Sequence, residues 1–328
     1  MASFSIKDFL KSLPVVGALL VQIQSKLNRL RPSFLYTYTF KPFVISQAIK
    51  LLRRMVLVDS IIISRNDCLV DTGSAKFTWR PADPYSLLGY PLRGDFEKIE
   101  TDIAMAIARQ AACIVDVGGN FGWYSCHLQA SLPVGGELHV FEPVPAVREE
   151  LLKNLALNPR EGVKTVVTGA CLSDAAGEVV LHVPHKHGSA FASLRNQNYD
   201  GGFEVVAVQA MTLDSYCREN NITHIDLLKV DVEGAELQVL QGACAMLSAP
   251  RKPVLFIESE ASIIDVFGHT VQDVIHYIHG FGYCGYIVKN DKLYKLSNEN
   301  IGIGYDYIFV DPAAEFPLQI LQSVVEKS

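Results

Sequence analysis

The stretch Ile114-Val115-Asp116-Val117-Gly118-Gly119-Asn120-Phe121-Gly122 decides the fold of this chain, together with Leu138-His139-Val140-Phe141-Glu142-Pro143 one helix further on. Each begins as an apolar strand that ends near an acid, and the first acid leads into a glycine turn. Small residues let backbone N–H groups at a helix N-terminus approach an anionic ligand group. A carboxylate at the next strand tip can bind two ribose hydroxyls. Together the two stretches predict a site for an adenosyl ligand.

The glycine turn differs from the dinucleotide fingerprint G-x-G-x-x-G. Asn120 stands where the second fingerprint glycine would let a pyrophosphate approach the backbone. This replacement counts against NAD or FAD, and Asp116 is expected to face a ligand with a cationic amino group instead. Asp116 and Glu142 can also be interpreted as helix-capping acids.

Strands and helices alternate along most of the remaining chain, which predicts a parallel sheet covered on both faces. Between Gly177 and Val208 the alternation breaks, and two predicted strands around a polar loop indicate an inserted hairpin near the active edge of the sheet. The predicted strands are Cys113–Val117, Glu137–Phe141, Lys164–Ala170, Glu178–Val183, Phe203–Val208, Ile225–Val230, Pro253–Glu258, Tyr283–Lys289 and Tyr305–Val310. The predicted helices include Trp123–Ser131, Ala146–Leu157, Ala235–Leu247 and Val271–Gly280.

The N-terminal part of the chain is basic. Residues 1–54 carry a net charge of +8, against −14 for the remainder. Apolar residues at helical intervals predict an amphipathic arm, and its longest apolar run is shorter than the roughly 20 residues that span a bilayer. Two interpretations stay open: the arm packs on the catalytic domain or on the second subunit of a homodimer, or residues 1–31 contact an anionic membrane peripherally.

Seven scattered cysteines without a C-x-x-C pair predict free thiols in a reducing compartment. We therefore expect a cytoplasmic protein, membrane-associated if the arm binds lipid, with no structural metal and no nucleic-acid partner. Four segments are expected: the arm 1–54, a short β meander 55–94, a catalytic domain 95–312 containing the hairpin 177–208, and a C-terminal helix or tail 313–328.

A third motif follows the predicted strand Ile225–Val230. The sequence Lys229-Val-Asp231-Val-Glu233-Gly-Ala-Glu236 places three carboxylates and a lysine within eight residues, around a glycine that starts a helix. Charges this dense at the carboxyl end of a strand favour a functional site over a solvated surface.

In order and spacing, five segments resemble the FkbM-type family of S-adenosylmethionine-dependent methyltransferases. They are Asp116–Gly122, Phe141–Pro143, Ala170–Asp174, Thr212–Asp214 and Lys229–Glu236. The resemblance covers about residues 95–260. The chain departs from the family at Gly119, where alanine is frequent, and we expect that change only to loosen the turn.

The resemblance implies an α/β class I methyltransferase (Rossmann-like) fold, a seven-stranded sheet with its last strand antiparallel. To it the chain adds the helical arm, the meander and the hairpin. The resemblance also implies that Asp116, Gly118 and Asn120 hold the methionine part of the cofactor and that Glu142 holds the ribose. By the same resemblance, Leu172, Ser173 and Asp174 border the adenine. Phe121, Gly122 and Pro143 lie in the two turns that the resemblance assigns to cofactor binding.

The expected reaction is O-methylation of a hydroxyl on a sugar, glycolipid or secondary metabolite. Asp231 or Glu233 is expected to be the general base, with His187 of the inserted loop as a weaker alternative. A magnesium ion held by Asp231 and Glu258 is a further, weaker alternative. The rival functions are N-methylation of a small molecule, an NAD-dependent oxidoreductase, and a noncatalytic binding protein on the same fold.

Overall fold

The structure is a computed structural model that describes residues 60–63, 68–79, 97–185, 191–197, 201–289 and 292–325. The chain divides into two units, Met1–Phe96 and Glu97–Ser328. The predictions for the basic arm 1–54 and for His187 lie outside the described residues. None of the helices in the described ranges is long and apolar enough to cross a membrane.

The first unit contains an antiparallel meander. Its strands are β1 (Ser60–Ile63), β2 (Cys68–Asp71) and β3 (Lys76–Trp79), in that order across the sheet. The turn between β2 and β3 is closed by Thr72 N–H, which donates to Ala75 O at 2.9 Å, and by Gly73 N–H, which donates to Asp71 Oδ1 at 2.9 Å. Val70 and Phe77 are fully buried opposite each other in the register.

The second unit is built on an eight-stranded sheet in the order β13-β12-β14-β11-β10-β4-β5-β6. Strands β4, β5, β6, β10 and β11 are parallel, and β14 runs antiparallel to both of its neighbours. The bounds are β4 Cys113–Val117, β5 Glu137–Phe141, β6 Lys164–Thr168, β10 Leu227–Val230, β11 Val254–Glu258, β12 Cys284–Lys289, β13 Lys292–Lys295 and β14 Asp306–Val310.

The central strands are buried on both faces, which explains why β4, β10 and β11 are almost continuously apolar instead of alternating. The predicted class I fold is confirmed. The sheet has one strand more than predicted, because β13 pairs with the edge strand β12. This strand is four residues long and only Leu293 in it is buried, so its pattern gives almost no signal in the sequence.

Helices cover both faces of this sheet. They are α1 Lys98–Ala108, α2 Trp123–Ser131, α3 Pro145–Leu157, α4 Leu213–Glu219, α5 Glu236–Gln241, α6 Cys244–Leu247, α7 Ala261–Ile264, α8 Val271–His279 and α9 Glu315–Val325. One face packs with α4, α5 and α8 around a core that includes Val230, Val239 and Ile275. Helices α1 and α2 contact the strands β10 and β4.

The inserted segment forms a separate sheet. Its strands are β7 (Cys171–Leu172), β8 (Gly177–Pro184) and β9 (Phe203–Met211), with β9 in the centre. The strand predicted over Lys164–Ala170 ends at Thr168, and the chain enters this second sheet at Cys171. Leu181 and Val208 of the hairpin pack with Val144 and Val147, at the start of α3.

The single helix predicted over Ala235–Leu247 is wrong, because the chain breaks it into α5 and α6. The carboxylate of Asp214 accepts hydrogen bonds from the N–H groups of Ala245 and Met246, at 2.8 and 3.2 Å. Those groups would otherwise donate to the preceding turn. At the break, a Cβ on Gly242 would lie 2.1 Å from the backbone oxygen of Ser173.

We expect Gly242→Ala to lower the free energy of unfolding by about 1–3 kcal/mol, because the added methyl would press on backbone that cannot rotate away. Urea unfolding followed by circular dichroism measures the change. Gly177→Ala is the matched control, since no atom lies within 4 Å of a Cβ built there. Equal midpoints for the two variants would contradict the steric explanation.

Candidate functional site

The sheet register brings charged residues together at the carboxyl edge. Lys229 on β10 lies opposite Asp116 on β4 and Phe256 on β11. Because alternate residues of a strand point to the same face, Asp231 and Glu258 follow on this face at the edge. Strand β14 starts at the same edge and places Asp306 opposite Glu258. Four carboxylates therefore surround one lysine.

Lys229 is the cation of this cluster. It is only 7% exposed, its Nζ lies 2.8 Å from Asp231 Oδ2, and it sits 4.6 Å from the centre of the Tyr124 ring. Burial alone would lower the pKa of Lys229, but the charges of Asp231 and Asp116 outweigh it and raise the pKa. The sequence analysis gave Lys229 no role. A lysine inside an otherwise apolar, buried strand was the signal that could have identified it.

The glycine turn after β4 holds three strand ends together. Gly118 has φ +85°, and a Cβ there would lie 1.8 Å from the backbone oxygen of Asp231. The N–H groups of Gly118 and Gly119 both donate to Phe141 O at 3.0 Å. A Cβ at Gly119 would lie 2.3 Å from Val140 Cγ1, so in this chain an alanine at position 119 would require the Val140 side chain to shift.

Glu142 is fixed at the tip of β5. Its two carboxylate oxygens accept hydrogen bonds from Asn120 N–H at 2.9 Å and Val144 N–H at 2.8 Å. Burial raises the pKa of Glu142 to about 7. Each carboxylate oxygen can accept a second hydrogen bond, so capacity for two ligand hydroxyls remains. Arg148, which the sequence analysis missed, donates to the backbone oxygens of Glu142 and Pro143 and holds the strand tip.

Asn120 and Gly122 shape the entry into α2. Asn120 has φ +48°, and its Oδ1 accepts a hydrogen bond from Phe121 N–H at 2.8 Å. Gly122 is the N-cap of α2 and has φ +98°. The backbone of the turn is thus bent towards the tip of β5, where the Asn120 N–H is already bonded to Glu142.

Asp116 is fully buried, one residue before the end of β4. Its Oδ2 accepts a hydrogen bond from Ser125 Oγ at 2.5 Å, whereas its Oδ1 has no hydrogen-bond partner among the residues that the structure describes. Burial raises the pKa of Asp116, against the opposing charge of Lys229. Within the described residues, the carboxylate therefore keeps one acceptor atom for a further donor.

The predicted adenine-side residues follow β6. Leu172 lies in the main core and Ser173 is buried, while the side chain of Asp174 is exposed. Ser173 Oγ donates to Asp174 Oδ1 at 3.0 Å, and Ser173 N–H donates to Met211 O. Asp174 is the one of these three side chains that reaches the surface.

The loop between β10 and α5 is organised by Glu236. Its Oε1 accepts hydrogen bonds from Gly234 N–H at 3.0 Å and Val232 N–H at 3.3 Å, and burial raises its pKa to about 7. Glu233 has φ +54°, and its Oε2 is buried without a hydrogen-bond partner in the described part of the chain. Burial, reinforced by the charge of Asp231, raises the pKa of Glu233 to about 9. Glu233 is therefore protonated at neutral pH.

A narrow cleft beside Lys229 is lined by Glu97, Glu100, Tyr124, Glu258 and Asp306. The charge of Asp231, with burial, raises the pKa of Glu258 well above its usual range. Burial does the same for Asp306. The described residues contain no group of three His, Cys, Asp or Glu side chains that could hold a metal ion.

One protein family has a domain profile that matches more than half of this chain. The profile described as "Methyltransferase FkbM domain" matches residues 116–288. The chain is 34% identical to the methyltransferase sdnD of Sordaria araneosa over 176 residues, 45% of this chain and 67% of that protein. It is 27% identical to the 2-O-methyltransferase NoeI of Sinorhizobium fredii over 177 residues, 50% of this chain and 69% of that one.

Among solved structures, the chain is similar to a methyltransferase FkbM from Methylobacillus flagellatus, with 17% identity and a TM-score of 0.37. The match covers 62% of this chain and 44% of that one, so this chain spans less than half of the length of that protein.

The raised pKa of Glu233 predicts a pH dependence of stability. In the unfolded chain Glu233 ionises near pH 4.5, but in the folded chain only near pH 9. The folded state therefore loses stability as pH rises through this window, by up to about 1.4 kcal/mol per pH unit. Glu233→Gln should remove this part of the slope and gain stability over the wild type between pH 5 and pH 8.

Urea unfolding at four pH values across that range measures the slope. Glu161→Gln, which removes an exposed turn carboxylate, is the control and should keep the wild-type slope. An unchanged slope in Glu233→Gln would show that the Glu233 carboxyl ionises normally in the folded protein.

Proposed function

We propose that this chain, which belongs to the FkbM family of S-adenosylmethionine-dependent methyltransferases, methylates a hydroxyl oxygen of a sugar, glycolipid or secondary metabolite. The observation that carries the proposal is the Lys229–Asp231 ion pair at the carboxyl edge of the sheet, beside the glycine turn. The relative whose printed name is 2-O-methyltransferase supports a hydroxyl as the acceptor group.

The residues at the edge of the sheet suit the cofactor. S-adenosylmethionine supplies a methyl group activated by its sulfonium. Glu142 keeps acceptor capacity for two ribose hydroxyls, and the orphan Oδ1 of Asp116 can accept from the ammonium group or from a water that bridges to it. We assign Gly118, Asn120, Phe121, Gly122 and Pro143 to the turns that border the methionine and ribose parts, and Leu172, Ser173 and Asp174 to the adenine side.

Asp231 is the proposed general base. Its side chain is 28% exposed, so an acceptor can reach it, and its Oδ2 lies 2.8 Å from the Lys229 ammonium, which orients the carboxylate. Glu233, which the sequence left as an equal candidate, holds its proton at neutral pH and is better suited to donate a hydrogen bond to the acceptor.

The proposed reaction is an in-line displacement in which Asp231 takes the proton of the acceptor hydroxyl while the oxygen attacks the methyl carbon. Holding the two reacting atoms in line contributes up to about 7–11 kcal/mol. Removal of the proton by a positioned base adds about 10²–10⁴-fold. The backbone oxygen of Asp231 lies close to Gly118, which supports a proposed base next to the methionine end of the cofactor.

Asp231→Asn is expected to lower kcat about 10²–10⁴-fold, because the amide cannot accept the proton. Transfer of a labelled methyl group to hydroxylated acceptors measures turnover, and calorimetric titration with S-adenosylmethionine should give an affinity close to that of the wild type. The control is Asp265→Asn, an exposed carboxylate outside the site. Wild-type turnover in Asp231→Asn would refute the assignment.

Calorimetric titration also separates the methyltransferase from its rivals. We expect S-adenosylmethionine and S-adenosylhomocysteine to bind and NAD not to bind. The N–H of Asn120, which a pyrophosphate would need, is already bonded to Glu142. Binding of NAD alone would favour an oxidoreductase, and binding of none of the three would favour a noncatalytic module.

A further inference from the structure

We infer that Ser193 is a positioning residue for methyl transfer, because its hydroxyl fixes the backbone oxygen of Glu233 and thereby holds Asp231 in place at the edge of the sheet. Ser193 acts through the loop between β10 and α5 and has no assigned contact with cofactor or acceptor. The inference rests on the proposed function, since it takes Asp231 as the base. It gives a role in the reaction to a residue of the inserted segment, 40 positions away from the loop.

The loop between β10 and α5 has an unfavourable backbone conformation at its centre. Glu233 and Gly234 follow each other with φ +54° and φ +104°. The left-handed region is unfavourable for a residue with a side chain, and such a residue persists where the surrounding structure holds it. The position of the loop therefore depends on the contacts that keep Glu233 in this conformation.

Both ends of the loop are fixed by its own strand and helix. The N–H of Asp231 donates to the backbone oxygen of Val117 on β4 at 3.0 Å. The N–H groups of Val232 and Gly234 donate to Glu236 Oε1 at the start of α5. These bonds hold N–H groups of the loop, and they leave the backbone oxygen at its centre to other partners.

The inserted segment 191–197 bonds that central oxygen. The backbone oxygen of Glu233 accepts a hydrogen bond from Ser193 Oγ at 2.7 Å and a longer one from Gln197 Nε2 at 3.4 Å. The bond from Ser193 is the shorter of the two, and hydrogen bonds weaken as they lengthen towards 3.5 Å. Ser193 therefore contributes most of the restraint that the segment applies to this oxygen.

Ser193 is itself held rigidly. It is 1% exposed, and its backbone N–H and oxygen pair with those of His182 on β8, at 3.1 and 2.8 Å. Its Oγ accepts from Arg195 N–H at 3.4 Å and from Gln197 Nε2 at 3.3 Å. A hydroxyl has a single proton to donate, and both of these groups donate to the oxygen. The Ser193 proton is therefore directed to the backbone oxygen of Glu233.

The loop is also enclosed by the ring of Phe267. A Cβ built on Gly234 would lie 2.5 Å from Cε2 of this ring. The guanidinium of Arg195, two residues after Ser193, lies 6.0 Å from the centre of the same ring. The segment 191–197 thus borders both the oxygen of Glu233 and the ring that covers Gly234, which restricts movement of the loop.

Loss of the Ser193 hydroxyl would leave the oxygen of Glu233 with the long bond from Gln197. The loop could then shift, and the carboxylate of Asp231 would move relative to the acceptor hydroxyl. A misplacement of about 1 Å can lower the rate of a reaction about 10²-fold. The proposed cofactor residues Asp116 and Glu142 lie on β4 and at the tip of β5, so cofactor binding should not depend on this hydroxyl.

Ser193→Ala is expected to lower kcat about 10–100-fold, because the base is no longer held in line with the reacting atoms. Transfer of a labelled methyl group by the full chain measures kcat. The acceptor KM and the calorimetric affinity for S-adenosylmethionine should stay at their wild-type values. Ser323→Ala is the matched control, because it removes a hydroxyl that donates to the backbone oxygen of Ile320 at 2.8 Å on α9, and it should keep the wild-type kcat.

A double-mutant cycle separates positioning from a merely structural role. If Ser193 acts through Asp231, Ser193→Ala should lower kcat less than about twofold once Asp231→Asn has removed the base. A merely structural role would lower kcat by the same factor in both backgrounds. Ser193→Cys keeps the shape of the side chain with a weaker donor, and it takes the place of Ser193→Ala in the cycle if Ser193→Ala loses cofactor binding.

Wild-type kcat in Ser193→Ala, or an equal loss of kcat in both backgrounds, would overturn the inference. Failure of the proposed function gives different results: the wild type would not bind S-adenosylmethionine, or Asp231→Asn would keep wild-type turnover.

Discussion

The burial of one ammonium group among carboxylates is the interaction on which this site depends. Lys229 comes from the middle of the sheet, so its position is set by hydrogen bonds to β4 and β11 on either side. Asp116 lies beside Lys229 on the neighbouring strand β4, and Asp231 lies two residues further along the chain on the same face of the sheet. An uncompensated buried charge is strongly destabilising, whereas a paired one fixes its neighbours in place. The lysine therefore links the proposed cofactor side, at Asp116, with the proposed transfer side, at Asp231.

The acidic residues near Lys229 differ in the pKa of their carboxyl groups. Glu142 and Glu236 are buried and Glu233 is partly buried, and their pKa values rise to about 7 for Glu142 and Glu236 and to about 9 for Glu233. Asp231 is the carboxylate bonded directly to the ammonium. The pKa values of the three glutamates thus differ with their surroundings, and separated pKa values are the usual basis for separate acid and base roles in one site. Several carboxyl groups placed near a single cation lower the stability of the folded state, and perturbed pKa values of this kind are common at functional sites.

Backbone strain accompanies this charge arrangement. Asn120 and Glu233 both adopt positive φ, which is unfavourable for residues with a side chain, and both flank the proposed transfer site. The strain at Asn120 lets its N–H reach Glu142, and the strain at Glu233 leaves its backbone oxygen available to Ser193 and Gln197. The side chains of Ser193 and Gln197 in the inserted segment therefore contact the loop between β10 and α5 at the backbone oxygen of Glu233.

The sequence by itself determined the parallel sheet, the glycine turn and the acids at the strand tips. These depend on local patterns: apolar runs of four to five residues, a turn of small residues, and an acid after each strand. The family resemblance added the cofactor. Only the tertiary structure decided that Lys229 is the centre of the charge cluster, that Asp306 and Glu97 join it, and that α5 and α6 separate at Gly242. These features arise from contacts between residues far apart in the chain, such as Asp214 with Ala245 or Glu258 with Asp306. The pairing of strands and the burial of charge are set by the whole sheet, and no local pattern contains them.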